Sequence, residues 1–330
     1  MTINQIAVEA GVSISTVSRV LNTPEKVSPL TRARVQEVLA RNNYVPNAFA
    51  RGLVQSTIKS VGILTSDIRT LYHAIATHVL EDAFFSWGYT SYFCPAGNSV
   101  EKKLTYIRTL SEKRVDGLIL IGSVFSSPVI EKHLRDYMPN TPIATINGWL
   151  SGDNIYTISL NQDIGMELIL NHLQEKGYEN IYFVAANVNQ NTEKKILAFK
   201  RYTESRGIPL NENHNIFYCE YTFESISAFA KDFLPLTKKK TAIIFRDELC
   251  AGYAYRAFRA LGLSIPDDVA IVGYDNVYYP LFYDPPITTL DTQIEVLSSL
   301  AANTLHDIFS QKPVSQNISV APKLVIRSST

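Results

Sequence analysis

The chain has 330 residues, of which 46% are hydrophobic, so it is long enough for two or three units and can bury a large core. Its three cysteines, Cys94, Cys219 and Cys250, are odd in number and far apart, which excludes a disulfide framework and indicates buried thiols. The net charge is zero, but residues 1–59 contain seven basic and three acidic side chains, and this basic head on an acidic body suits a DNA-binding module.

The first 22 residues predict two short helices around a tight turn, which is the layout of a helix-turn-helix. Gly11 suits the turn, and Ser13 is placed to cap the second helix by accepting backbone N–H bonds. With its apolar stripe turned inward, the second helix exposes short polar groups and one guanidinium that can reach O6 and N7 of a guanine. The alternative is a surface helical hairpin, which the basic charge of this region disfavours. The apolar positions are Ile3, Ile6, Ala7, Ala10, Val17, Val20 and Leu21, and the exposed ones are Ile14, Ser15, Thr16, Ser18 and Arg19.

A third helix is predicted over residues 29–42. Ser28 is its expected N-cap, and Pro29 fits its first position, where a missing backbone N–H has no consequence. Its apolar residues would complete a three-helix core. These residues are Val35, Val38 and Leu39.

A short apolar segment follows over residues 48–54. It is too short to be a stable helix by itself, and Gly52 weakens it by about 1 kcal/mol relative to alanine. The alternative is a plain linker, but a linker has no need of Phe49, Leu53 and Val54. We therefore expect a helix that forms only against a partner.

From Val61 onward, apolar runs alternate with amphipathic helices, a pattern typical of parallel βαβ units. Helices are predicted over residues 165–176 and 248–261. The pattern predicts two similar α/β lobes in sequence, with a ligand site in the cleft between them, because strand ends of open α/β sheets face it. The predicted strands are 61–64, 89–93, 117–121 and 143–146 in a first lobe, 181–185, 216–218, 241–245 and 269–274 in a second, and 324–327 near the end of the chain.

Six motifs in the same order resemble the lactose repressor (LacI/GalR) family of bacterial transcription regulators over essentially the whole length. The resemblance implies a helix-turn-helix headpiece over residues 1–46, a hinge helix and linker over 47–59, and a two-lobed periplasmic-binding-protein-like core of parallel sheets over 60–330. It also implies that the core dimerises, that the protein binds palindromic operators, and that it responds to small molecules, usually sugars or related metabolites. The N-lobe would cover about 60–157 and 290–318, and the C-lobe about 158–289 and 319–330. The matching segments are residues 11–22, 43–47, 50–53, 115–120, 265–275 and 285–290.

The resemblance assigns the DNA-binding residues. Ile14 and Ser15 fall where the family's recognition helix varies with operator sequence, and Arg19 falls where it commonly reads guanine. Leu53 matches the hinge leucine that wedges into the minor groove, which would unstack one base step and bend the duplex. Gly52 and Val54 depart from the family pattern, so weaker hinge folding is expected. The remaining predicted DNA contacts are Thr16, Ser18, Asn22, Tyr44, Asn47, Ala50 and Arg51.

The predicted effector site departs from the family's common sugar-binding set. Lys195 replaces a usual arginine, and Arg246 replaces a usual asparagine. Asparagines stand where aspartates are common, and Arg246 adds a positive charge, so an anionic sugar derivative is the expected ligand. The alternative is that Arg246 and Lys195 pair with Asp275 or another acid of the cleft and hold the lobes together. The predicted site comprises Tyr72, His73, Asn147, Asn191, Lys195, Tyr221, Arg246 and Asp275, with Asn161 as a further departure.

The predicted function is a DNA-binding transcriptional regulator, a repressor of carbohydrate metabolism genes controlled by a sugar acid or sugar phosphate. No nucleophile elbow, phosphate-binding loop or metal-ligand spacing indicates an enzyme, a cofactor or a metal. The chain shows neither a signal peptide nor a stretch long enough to span a bilayer, which predicts a cytoplasmic protein. The expected assembly is a dimer on a palindromic operator, because one headpiece contacts too little DNA for specificity. A tetramer is not expected, because no heptad tail follows the last strand. Two alternatives are a solute-binding receptor and a regulator controlled by a protein partner, like the catabolite control protein.

Overall fold

A computed structural model describes residues 1–44, 57–186, 188–207, 215–237 and 240–330. The chain divides into two compact units, Met1–Ile58 and Lys59–Thr330. The predicted hinge helix at 48–54 lies outside the described residues. Within the described ranges, none of the helices combines the length and the apolar character that a membrane span requires.

The headpiece contains three helices, α1 (Ile3–Glu9), α2 (Ile14–Asn22) and α3 (Pro29–Arg41). A side chain caps the N-terminus of each helix. Thr2 forms a capping box with Gln5, Ser13 accepts from the Thr16 N–H, and Ser28 accepts from the Thr31 N–H. A 3₁₀ turn at Pro24–Lys26 separates α2 from α3. The two serine caps are those that the sequence predicts.

One small core joins these helices. It buries Ile6 on α1, Val17 on α2 and Val35 on α3, and Ile3, Leu21 and Leu39 pack at its edge. The helical spacing of the apolar residues therefore identifies the inward faces correctly. The Glu9 carboxylate, which accepts hydrogen bonds from Arg41 and Asn42, ties the end of α1 to the end of α3.

The first lobe is built on a six-stranded parallel sheet with strand order β11-β5-β4-β3-β1-β2. Its two faces bury separate apolar clusters beneath the helices. The helices are α4 (Leu71–Ser86), α5 (Val100–Glu112), α6 (Pro128–Tyr137) and α11 (Ile294–Phe309). The strands are β1 (Ser60–Thr65), β2 (Thr90–Pro95), β3 (Gly117–Ile121), β4 (Ile143–Ile146), β5 (Ile155–Leu160) and β11 (Asn317–Val320).

The second lobe has a sheet of order β12-β10-β9-β8-β6-β7, in which only β12 runs antiparallel among the described strands. Apolar clusters again cover both faces. Its helices are α7 (Gln162–Glu175), α8 (Gln190–Ser205), α9 (Phe223–Phe233) and α10 (Glu248–Ala260). The strands are β6 (Asn180–Ala186), β7 (Ile216–Cys219), β8 (Thr241–Phe245), β9 (Ala270–Tyr274), β10 (Thr288–Asp291) and β12 (Lys323–Val325).

The sequence analysis missed three strands. β5, β10 and β11 carry polar residues between their apolar ones, so they lack the continuous apolar run that identified the buried strands. β5 pairs with β4 over Ile155–Ile158 and with β11 over Thr157–Leu160, so both belong to the first sheet. β10 belongs to the second sheet and ends at Asp291.

Candidate functional site

The second helix of the headpiece presents a polar face. Ile14, Ser15, Arg19 and Asn22 are exposed, and Ile14 keeps 49% of its surface accessible. Thr16 and Ser18 are half-buried beside them, where their hydroxyls bond within the headpiece to Ser13 and Asn22. Among the described residues, the Arg19 guanidinium forms neither a hydrogen bond nor an ion pair, so its five donors face solvent.

The other predicted DNA contacts are distributed differently. Tyr44 is half-buried and packs against the headpiece core, so its ring has a structural contact in addition to any contact with DNA. Asn47, Ala50, Arg51 and Leu53 lie outside the described residues.

A cavity of about 710 Å³ lies between the two lobes of the core. Both lobes contribute side chains from the carboxyl ends of their parallel strands and from the helices and turns that follow, as expected for open α/β sheets. All eight residues of the predicted effector site line this one cavity. They are Tyr72, His73, Asn147, Asn191, Lys195, Tyr221, Arg246 and Asp275.

On the first-lobe wall, neutral polar groups are held by hydrogen bonds. The Asn147 amide donates to the Tyr72 hydroxyl at 2.7 Å and accepts from the Leu160 N–H at 2.8 Å. The His73 ring nitrogens lie 2.7 Å from Thr65 Oγ1 and 2.9 Å from Ser66 Oγ. Burial lowers the pKa of His73 to about 4, against a small opposing effect of Asp67, so the ring is neutral at physiological pH.

On the second-lobe wall, the Arg246 guanidinium is already engaged on several sides. Its Nε lies 3.1 Å from the Asp247 carboxylate, and Nη1 donates to the Ala186 carbonyl at 2.7 Å. The guanidinium carbon lies 5.0 Å from the centre of the Tyr221 ring, in cation–π contact. The side chains of Arg246 and Asp247 keep only 18% and 12% of their surfaces exposed.

Lys195 lies deeper in the same wall. Its ammonium donates to the Arg246 carbonyl at 2.6 Å and lies 3.7 Å from the centre of the Tyr274 ring. Burial lowers the pKa of Lys195 to about 8, while the Asp275 carboxylate favours the charged form. Arg246 thus pairs with a cleft acid, as the alternative prediction held, but that acid is Asp247. Both partners belong to the second lobe, so the pair does not hold the lobes together.

A different residue connects the lobes. The Asn191 N–H donates to Ser123 Oγ of the first lobe at 3.2 Å, and its side-chain oxygen accepts from Gln162 at 3.1 Å. Lys194, also on α8, lies 4.2 Å from the ring centre of Trp149 in the first lobe. Asn161 is not at the cavity, because its side chain caps α7 by accepting from the Ile164 N–H.

Comparison with known proteins identifies the family. Residues 2–47 match the family model of bacterial regulatory proteins, lacI family, and residues 170–330 match a periplasmic binding protein-like domain. The HTH-type transcriptional repressor PurR of Edwardsiella ictaluri is 31% identical, over 99% of this chain and 96% of that protein. This chain belongs to the lacI family of bacterial regulatory proteins. It is accordingly a DNA-binding transcriptional regulator.

Solved structures support the same fold. The lac repressor dimer bound to operator and the anti-inducer ONPF gives a TM-score of 0.86 at 24% identity, covering 100% of this chain and 98% of that one. The complex of the transcriptional regulator CelR with cellobiose gives 0.73 at 22% identity, covering 100% of both chains. At these identities the likeness establishes the fold alone.

The lacI-family pattern did not reveal every residue of the cavity. Asp247 was not among the predicted site residues, although it caps α10 and also binds Arg246. Glu248 was missed because a glutamate in the first turn of a helix usually faces solvent. In the first lobe, Asp67, Arg69 and Asn98 were missed because they lie in loops after strands, where no apolar period marks them. The additional lining residues include Asp67, Arg69, Asn98, Lys102, Ser123, Asn189, Asp247 and Glu248.

Proposed function

We propose that this lacI-family regulator is a repressor of carbohydrate metabolism genes whose operator binding is controlled by a sugar-like effector in the interlobe cavity. The single observation that carries this proposal is the convergence of eight predicted effector residues on one cavity of about 710 Å³. The CelR–cellobiose complex, which has the same fold, supports a carbohydrate as the ligand class. A chromosomal regulator acts where DNA is, so a cytoplasmic location follows from the proposal.

The charge pairing in the cavity supports a ligand rich in hydroxyl groups. Asp247 offsets the charge of Arg246, and Asp67 binds Arg69 through both carboxylate oxygens at 2.7 to 3.1 Å. Paired cations and acids offer donors and acceptors together, which matches a hydroxyl better than a bare anion. We therefore revise the expectation that Arg246 and Lys195 hold an anionic group.

An acidic sugar derivative is the second candidate, because Lys102 lines the cavity without an acid partner among the described residues. Among the described residues, the Lys102 ammonium has only the ring of Tyr106 as a partner, 5.7 Å from its centre. A carboxylate or phosphate on the ligand would be attracted to that point charge.

Operator recognition is proposed to use the exposed face of α2. Arg19 would read one guanine in each half-site, and Ile14, Ser15 and Asn22 would contact neighbouring base edges. Thr16 and Ser18 would approach phosphates, and of the residues predicted beyond Tyr44, Leu53 would wedge into the minor groove.

A homodimer on a palindromic operator is the proposed assembly. One headpiece contacts too little DNA for high specificity, and two-fold symmetry in the protein requires it in the site. Large apolar side chains support a contact with a second copy, because Leu281 and Phe282 are 63% and 79% exposed in the 3₁₀ turn Tyr279–Phe282. Sedimentation should give the mass of a dimer at micromolar concentration, and a monomer or tetramer would contradict it.

A thermal-shift panel with the full-length protein tests the ligand proposal. The probes are D-ribose, cellobiose, D-gluconate and ribose 5-phosphate, with inorganic phosphate as the control for simple anion binding. A neutral sugar should raise the melting temperature of the core through binding linkage. A response to the acidic probes alone would favour the second candidate. If no probe shifts the protein, control by a protein partner becomes the better hypothesis.

Operator binding separates the regulator from a solute-binding receptor. A DNA fragment selected from a random library by the full-length protein should be palindromic, and the active probe should change its affinity. Ligand binding without any effect on DNA binding would support the receptor.

A further inference from the structure

A strained turn presents Asp275 to the cavity. Asp275 and Asn276 follow β9 with φ angles of 99° and 53°, so two consecutive residues other than glycine adopt left-handed conformations. Such conformations are uncommon for L residues and persist only when the surroundings hold them. The contacts of this turn therefore determine where the Asp275 carboxylate lies.

One of these contacts comes from Glu248 at the start of α10. Its Oε2 accepts from the Val277 N–H at 2.8 Å, and its Oε1 accepts from Thr289 Oγ1 at 2.6 Å. The side chain keeps only 1% of its surface exposed. The Asp275 N–H itself donates to the Leu290 carbonyl at 2.8 Å, so Glu248 and β10 fix the two sides of the turn.

The neighbouring backbone leaves room for this glutamate. A Cβ atom added to Gly273 would lie 2.9 Å from Cγ of Glu248, closer than real Cβ contacts. Glycine at this position of β9 is thus required while the Glu248 side chain occupies its present place.

The charges around Glu248 suit a neutral acid. Burial, together with the nearby Asp275 carboxylate, raises the pKa of Glu248 to about 9. Arg327 also faces this region, but its guanidinium donates to Asn276 Oδ1 at 2.7 Å and to the Ile287 carbonyl at 2.8 Å. A neutral acid can hold the turn without placing a second negative charge beside Asp275.

We propose that Glu248 is a positioning residue that holds the Tyr274–Val277 turn in the conformation that presents Asp275 to the effector. This inference rests on the proposed function, because it takes Asp275 as an effector contact. The alternative is that Glu248 only stabilises the second lobe as a whole.

Hydrogen exchange in the full-length protein tests the positioning directly, without any ligand. Glu248→Leu removes both side-chain acceptors and should speed exchange of the Val277 amide at least tenfold relative to amides of β8. Glu248→Gln keeps an acceptor and a donor in the same shape, so exchange should stay within about twofold of the wild type. Unchanged exchange in Glu248→Leu, or equal disruption by both variants, would overturn the proposal.

Two further variants supply a control and a second way to displace the Glu248 side chain. Asp116→Leu removes a carboxylate that accepts from the Ser60 N–H at 2.9 Å in the first lobe, and it should leave the Val277 amide unchanged. Gly273→Ala places a Cβ atom against the Glu248 side chain and should also speed exchange of the Val277 amide. This variant tests the positioning role of Glu248 if Glu248→Leu does not fold.

Ligand binding then separates this proposal from the proposed function. For a probe that shifts the wild type, D-ribose or cellobiose for example, Glu248→Leu should weaken binding more than tenfold and Glu248→Gln less than threefold. Equal binding by all three proteins would refute the positioning role. If none of the probes binds the wild type, the sugar proposal fails, while the exchange results still decide the role of Glu248.

Discussion

The proposed recognition face, which is the exposed face of α2 with Ile14, Ser15, Arg19 and Asn22, differs from the cavity of the core in how its charged group is solvated. Arg19 is exposed and pairs with no described residue, whereas Arg246 is buried and already bonded to a carboxylate, a carbonyl and an aromatic face. Water solvates an exposed guanidinium until DNA replaces it, but a buried charge needs a partner within the protein. A substitution on the recognition face should therefore change binding alone, whereas one in the cavity should change stability too.

The largest expected effect is at the Arg246–Asp247 pair. Replacing Arg246 by methionine leaves the Asp247 carboxylate buried without its cation, which should lower the unfolding free energy of the core by about 3–5 kcal/mol. Urea unfolding measures this change. The double variant Arg246→Met with Asp247→Asn should recover most of the loss, since asparagine is neutral and still caps α10.

A matched pair on the headpiece provides the control. Arg41 binds Glu9 with side chains 62% and 33% exposed, so Arg41→Met should cost about 1 kcal/mol or less. If Arg246→Met costs as little as Arg41→Met, the two regions do not differ in the way proposed here.

Lowering the pH should reduce the unfolding free energy of the core, because His73 is protonated more readily in the unfolded chain. Its pKa in the folded protein is lowered by burial to about 4 from a usual value of 6.5, so the unfolded chain binds the proton first as pH falls. The resulting stability is present above pH 6.5 and is lost between pH 6.5 and 4, to a total of about 3 kcal/mol. Residues 1–44 contain no histidine, so this loss should be confined to the core.

Unfolding free energies measured from pH 7.5 to 4.5 test the role of His73. His73→Gln keeps a polar group near Thr65 and Ser66 but does not titrate, so its profile should be flatter than that of the wild type. An identical slope in both proteins would assign the acid sensitivity to other groups.

On the recognition face, Arg19→Ala should lower specific operator affinity by roughly 1–3 kcal/mol and relax the preference at one base pair in each half-site. Headpiece stability should change little, because the guanidinium forms neither a hydrogen bond nor an ion pair with a described residue. Binding isotherms on the selected operator and on random DNA measure the effect. An equal loss on both would make Arg19 a phosphate contact.

The headpiece shows how far sequence alone reaches. Its helices follow from local sequence patterns. Helical spacing identifies the buried residues, and Ser13 and Ser28 cap their helices as expected. The positions of Ile14 and Arg19 on the outer face follow from the same spacing. In the core, continuous apolar runs revealed the buried strands, but β5 and β11 were missed because polar residues interrupt them.

The cavity shows where sequence reasoning ends. The family resemblance named eight residues that all line one cavity, but it did not predict that Asp247 and Glu248 also lie there. Glu248 turns inward because Gly273 on β9 leaves space for its side chain, and its two oxygens accept from Val277 and Thr289. These are tertiary relations between distant parts of the chain, which no local pattern records.

The smallest effect should come from the N-cap of α2. Ser13 Oγ accepts from the Thr16 N–H at 3.2 Å and also lies 2.8 Å from the exposed Ser15 hydroxyl. Ser13→Ala should lower headpiece stability by about 1 kcal/mol, and Ser28→Ala, which removes the equivalent cap of α3, should cost a similar amount. Helix melting by circular dichroism compares the two.

Ser13→Asp should restore the cap of α2, yet it brings a negative charge toward phosphates, so stability should recover while operator affinity falls. Recovery of both would show that Ser13 lies too far from the DNA backbone to affect binding.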